Sequence, residues 1–178
     1  EKDGTLDSQF TSAQQFYNET AKIYGASNID SVTGHSLGGA LAQKVAATNH
    51  IPAVTFSTAG VGSQLTEKEK AWINGDGKEF ILNFMHKGDQ ISSMTNASDF
   101  GTAIYAGDFG SGALLSGHFL TSYKFAKDGS LKDAVNGVWS ITDKGTLSTG
   151  ISLIQKSFKS QIKGLNDLKS KFTSSGGG

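Results

Sequence analysis

Gly34-His35-Ser36-Leu37-Gly38 sets a serine between two glycines in the spacing G-x-S-x-G. A serine hydroxyl attacks a carbonyl only when its setting activates it, so the neighbours decide whether the spacing carries chemistry. Upstream, Ile29-Asp30-Ser31-Val32-Thr33 reads as a short strand; downstream, Ala40, Leu41, Val45, Ala46 and Ala47 read as a small-residue helix. A strand that turns sharply into a helix holds the serine in a strained conformation with its oxygen exposed. Gly34 and Gly38 are expected to flank the turn because side chains at either position would strike the strand or the helix. The helix start brings backbone N–H groups, that of Leu37 first, to the place where an oxyanion would form.

Such a serine needs a base, and the base an orienting acid. In hydrolases built on this turn the chain order is serine, acid, histidine. Of the four histidines, His35 adjoins the serine and His50 has no acid between it and Ser36. His86 would draw its acid from Glu67, Glu69, Asp76 or Glu79, in a polar stretch that reads as solvated surface. His118 therefore becomes the candidate general base. The acid belongs just past a later strand, because open parallel sheets place their sites at the carboxyl ends of strands. Phe80-Ile81-Leu82-Asn83-Phe84-Met85 is the clearest buried strand, and Asp89 follows it directly, with Asp99 and Asp108 as runners-up.

Gly34-His-Ser-Leu-Gly-Gly-Ala-Leu-Ala42, together with Val54–Gly62, Asn83–Asp89 and His118 with Tyr123, resembles the class 3 lipase group of α/β-hydrolases. The resemblance runs over about residues 8–127 and implies an α/β-hydrolase fold, a mostly parallel sheet flanked by helices. It also implies a Ser36–Asp89–His118 triad acting on lipid esters without metal or organic cofactor. Small bacterial members of that group include lipase domains of antibacterial toxins exported by the type VII pathway of Gram-positive bacteria. A cysteine-free, Gly-, Ser-, Asn- and Lys-rich chain with a helical tail is similar to these. That likeness implies a secreted protein acting on phospholipid at a target cell membrane, with an immunity protein as partner.

The departures are informative. Members of the group have several strands before the elbow, one of which supplies a second oxyanion donor. Only 35 residues precede Ser36 here, and Ser8–Tyr24 reads as an amphipathic helix with Phe10, Ala13, Phe16, Tyr17, Ala21 and Tyr24 on its apolar side. Gly4-Thr5 is similar to the group's oxyanion dipeptide but lies too close to the elbow. The expectation is that the first strands, with that donor, lie on another piece of polypeptide.

Three broader readings complete the picture. The 178 residues suffice for one domain with a sizeable core, and sixteen basic against sixteen acidic residues give no bulk charge that would favour nucleic acid. Asn96–Gly117 reads as a long Gly-rich loop or flap. With His35 beside the nucleophile, its Phe100, Ile104, Tyr105, Phe109, Leu114 and Leu115 are the candidate substrate contacts. Leu131–Trp139 reads as a short helix, closing a lipase-like domain over 1–142. Residues 143–173 read as an amphipathic tail, with Ile151, Ile154, Phe158, Ile162, Leu165, Leu168 and Phe172 on one face and lysines opposite. That tail suits packing on a helical neighbour or peripheral contact with an anionic membrane. Residues 174–178 read as a linker. A general carboxylesterase and a non-catalytic, hydrolase-like binding module are the alternative readings.

Overall fold

The computed structural model describes residues 4–108, 117–125, 131–132 and 139–140. The fold is α/β, a small and mostly parallel sheet flanked by helices. In chain order the elements are α1 (Gly4–Tyr24), β1 (Val32–His35), α2 (Leu37–Asn49), β2 (Ala53–Phe56), α3 (Glu67–Asn74), β3 (Ile81–Lys87), α4 (Gln90–Met94), β4 (Thr102–Asp108), β5 (Lys124–Phe125), β6 (Leu131–Lys132) and β7 (Trp139–Ser140). The sheet order is β1-β2-β3-β4-β7. β1 to β4 pair in parallel and β7 runs antiparallel to β4. β5 and β6 form a separate antiparallel ladder. Parallel neighbours need crossover connections, and the helices between the strands provide them.

Burial explains which segments became strands. Six consecutive residues of β3, Ile81–His86, are buried, as suits a strand covered on both faces. Its amide, Asn83, is satisfied: it accepts from Thr55 Oγ1 at 2.6 Å and donates to Gln43 Oε1 and the Phe100 carbonyl, each at 3.0 Å. α2 lies close against β1 and β2 because its inner face is small. Ala40, Ala46 and Ala47 join Phe10, Ala53, Val61, Leu65, Ile73 and Ile81 in one core cluster. α3 begins with a reciprocal cap between Thr66 and Glu69. Burial pushes the Glu69 carboxyl upward, but hydrogen bonds from Lys44, Thr48 and the Thr66 backbone outweigh it and hold the group below its ordinary range.

Several expectations are corrected. α1 begins at Gly4 rather than Ser8, so Gly4-Thr5 lies in its first turn. Seven residues of the segment read as a loop are a strand: β4 (Thr102–Asp108) pairs with β3 from Leu82↔Thr102 to Lys87↔Asp108. The β-prone run Thr102-Ala103-Ile104-Tyr105 is short and bracketed by Gly101 and Gly107, and the glycines masked it. Leu131–Trp139 is not one helix, since its ends are β6 and β7. Val135, Gly137 and Val138 give that stretch weak helix propensity, and a ladder partner overrides it. Phe109, Leu114, Leu115, the 143–173 tail and the 174–178 linker lie outside the described residues.

Of the apolar side expected for α1, Phe10 is buried, whereas Phe16 and Tyr24 are 73% and 67% exposed. The reason is the outer edge of β1, which has no partner strand among the described residues. A groove of about 460 Å³ runs there between α1, β1 and α2, lined by Phe16, Tyr17, Ile29, Val32, Leu41 and Val45 among others. Among the described residues no helix is long and apolar enough to cross a membrane.

Candidate active site

Ser36 sits between the last residue of β1 and the first of α2, at φ 55° and ψ −123°. A positive φ is unusual for a residue with a side chain and persists only where the surroundings enforce it. Here they do. The Ser36 N–H donates to the Phe56 carbonyl at 3.2 Å, and its carbonyl accepts from Gly39 at 3.0 Å and Ala59 at 3.0 Å. A Cβ on Gly34 would lie 2.0 Å from the Gly38 carbonyl oxygen, so the sharp turn excludes any side chain there. Gly38 is different from the expectation, for a Cβ there meets nothing within 4 Å. It faces the open groove beside β1. The glycine that crowding does require is Gly39, where a Cβ would sit 2.5 Å from Thr58 Oγ1.

The structure brings Ser36, His118 and Asp89 into one hydrogen-bonded line. His118 Nε2 is 2.8 Å from Ser36 Oγ. His118 Nδ1 is 3.1 and 3.0 Å from the two oxygens of Asp89. An ionised carboxylate only accepts, so Nδ1 carries the proton and Nε2 offers its lone pair to the serine hydroxyl. Asp89 is the N-cap of α4 and accepts from the backbone N–H of Ile91 and Ser92 and from Ser92 Oγ. Asp89 and His118 are buried, at 2% and 6% exposure. Leu37, as first residue of α2, has an N–H with no acceptor inside the helix. This arrangement can take a proton from Ser36, move it to a leaving group and stabilise the imidazolium that forms meanwhile. Among the described residues no cluster of three side chains could hold a metal ion.

A family model, Phospholipase-like, described as a Tle-like phospholipase domain, matches residues 5–142. The chain belongs to this phospholipase-like family. No curated protein matches it. The class 3 lipase character read in the elbow is thus a property of the chain's family.

The other predicted site residues of this phospholipase-like domain lie elsewhere. Ile104 is 1% exposed inside β4, and Phe100 packs against the core cluster with its ring over Gly62. Ile104 is thus closed to solvent, and Phe100 is partly buried. Tyr105 is half-buried in β4, paired with Ser140. His35 turns its ring to the His118 backbone, with Nε2 2.6 Å from that carbonyl. Asp99 lies in the turn before β4 and Asp108 at its end, and the acid within reach of His118 is Asp89.

Beneath His118 runs a buried polar layer that sequence reading missed. Ser57 Oγ donates to the Gly117 carbonyl at 3.0 Å and lies 2.9 Å from the Tyr123 hydroxyl, which also reaches the Phe84 carbonyl at 3.0 Å. His86 Nε2 meets Ser122 Oγ at 2.9 Å, and its ring stacks on Tyr123. Burial drives the His86 imidazole down to about 4, against the upward pull of Asp89. It is therefore neutral at neutral pH. Burial likewise pushes the Tyr123 phenol well above its usual range. The available signal was the polar pair Ser57-Thr58 directly after the apolar strand Ala53–Phe56.

Proposed function

We propose that this domain is a serine esterase that hydrolyses acyl esters of lipids, phospholipids foremost. The observation that carries this reading is the line from a strained Ser36 through His118 to Asp89, at 2.8 and 3.0 Å. Ser36 Oγ attacks the ester carbonyl as its proton passes to His118 Nε2. The tetrahedral oxyanion is met by the Leu37 N–H. Its collapse breaks the bond to the alcohol oxygen, which takes the proton from His118. Water then attacks the acyl-serine with His118 again as base, and a fatty acid leaves. Asp89 keeps the imidazole in the required tautomer throughout. No step calls for a cofactor. Family membership supports phospholipid over other esters.

A second oxyanion donor fits the open side of β1. A further strand pairing there would cover the apolar groove and end beside Ser36. We assign that strand to a separate segment upstream in the same protein. The reading extends to an exported antibacterial toxin with an immunity protein, through the sequence resemblance given above.

The decisive experiment offers phosphatidylglycerol–phosphatidylethanolamine vesicles to the wild type and to Ser36→Ala and measures fatty-acid release. Release by the wild type alone is expected, and equal release by both forms refutes the reading. For the toxin extension, both forms are exported to the envelope of a bacterial host. The wild type is expected to slow growth and Ser36→Ala to be harmless; equal toxicity refutes the extension.

A further inference from the structure

The imidazole of His118 must stay within hydrogen-bond reach of Ser36 and Asp89 at once, so the backbone that carries it has to be held. That backbone, Gly117 to Tyr123, is turn and 3₁₀ helix rather than strand. No sheet ladder fixes it at His118. Its two consecutive carbonyls are instead gripped by side chains from the ends of the first two strands. His35, the last residue of β1, meets the His118 carbonyl at 2.6 Å. Ser57, the first residue after β2, meets the Gly117 carbonyl at 3.0 Å.

We propose that His35 and Ser57 are positioning residues, which set the general base by holding the carbonyls of His118 and Gly117. This rests on the esterase reading above for its kinetic consequence, though not for its geometry. A carbonyl oxygen only accepts, so His35 must carry a proton on Nε2, in its neutral and its charged form alike. The His35 ring also lies tilted against the His118 ring, centroids 5.3 Å apart. Ser57 directs its proton to Gly117, and its oxygen also lies 2.9 Å from the Tyr123 hydroxyl, whose own proton is directed to the Phe84 carbonyl of β3 at 3.0 Å. Ser57 is wholly buried and adopts φ 46°, a conformation that side chains seldom take. The strained backbone aims its hydroxyl at the turn.

Both grips come from the frame that holds the nucleophile. Ser36 follows His35 directly, and its N–H bonds to Phe56, the residue before Ser57. A shift of the sheet therefore carries Ser36 and His118 together. Misplacement of a reacting group by about 1 Å costs on the order of 10²-fold in rate. Loss of a grip should fall on turnover and spare substrate binding.

The test compares His35→Phe, which keeps a ring and loses the donor, with His35→Gln, which restores a donor near the Nε2 position. Ser57→Ala is the parallel variant. Each is assayed for kcat and KM on a p-nitrophenyl acyl ester, for thermal unfolding, and by NMR for the low-field His118 Nδ1 proton. For His35→Phe and Ser57→Ala, kcat is expected to fall about 10–100-fold with KM within about twofold, and the low-field signal to broaden or vanish. His35→Gln is expected to return kcat to within about threefold of wild type and to restore the signal. A His35→Phe protein with wild-type kcat and an intact signal overturns the proposal. So does a folded His35→Gln as impaired as His35→Phe, since the donor would then be irrelevant. If Ser36→Ala keeps full esterase activity, the esterase reading fails, while the NMR comparison still decides the positioning role.

Discussion

The carboxyl edge of β2 and β3 and the outer edge of β1 treat their exposed chemistry in opposite ways. At the first, every polar group that the site requires has a partner from the same chain. Asp89 caps α4 and is bonded to His118, Ser57 is bonded to Gly117, and His86 to Ser122. Among the described residues no buried side-chain polar atom is left without a hydrogen bond. At the second, the strand edge is uncovered and Phe16, which lines the groove, is largely exposed. Asp89 and His118 are thus preorganised within the described chain, whereas Ser36 stands on the border between a finished face and an open one. Burial makes the difference. Desolvation forces polar groups to pair where the sheet is covered, and nothing comparable acts on an uncovered strand edge.

The largest expected effect tests the finished face. Ser36→Ala or His118→Ala should lower ester turnover by about 10⁴-fold or more, and Asp89→Asn by less than loss of the nucleophile. Near-normal turnover in His118→Ala would show that the buried line is structural only. Next comes the contrast between two glycines. Gly34→Ala should cost about 3 kcal/mol or more, because its methyl would meet the backbone of α2, whereas Gly38→Ala should stay within about 0.5 kcal/mol. Denaturant unfolding of the two variants measures this, and equal costs would contradict the geometry of the turn.

These glycines show how far the sequence could be read. The strand–turn–helix at Ser36, β3 and the place of Asp89 past its end were legible because apolar periodicity and turn residues agreed there. Gly34 and Gly38 look alike in sequence, yet only contact with α2 separates them. β4 was hidden by flanking glycines. The exposure of Phe16 was illegible because a helix can show its own stripe but not what lies opposite. His35 and Ser57 were out of reach for another reason, since their partners are backbone carbonyls more than 50 positions away, which no side-chain pattern records.

The third prediction concerns pH. Unfolded, His86 takes up a proton as pH falls through about 6.5, but folded it resists until about 4. The unfolded state therefore binds more protons between these values, and its stabilising effect, complete above about 6.5, is lost as pH drops toward 4. Urea unfolding at pH 7 and pH 4.5 should show wild type losing about 2 kcal/mol more than His86→Gln. An identical loss in both would mean that His86 is not held neutral. The smallest effect belongs to the open edge. Phe16→Ser should leave the unfolding midpoint of the isolated domain nearly unchanged, within about 0.5 kcal/mol, while reducing self-association in light scattering. In a longer chain that covers the groove, the same change should be clearly destabilising, and indifference there would argue against a covering strand.

Separation along the chain adds a consequence in time. Ser36 and His118 are 82 positions apart, and Asp89 and His118 are 29 apart. Strands β1 to β4 pair with their sequence neighbours, so the elbow and the acid can form while the chain is still being synthesised. At about 5–20 residues per second, some 4–16 s pass between the synthesis of Ser36 and that of His118. Throughout that interval Ser36 lacks the imidazole that meets its hydroxyl in the folded domain. Any product of stalled translation or proteolysis that ends before Gly117 would be chemically silent, however well its sheet had folded. On the esterase reading, activity would wait for the turn that carries His118, even where β1 to β4 had already paired.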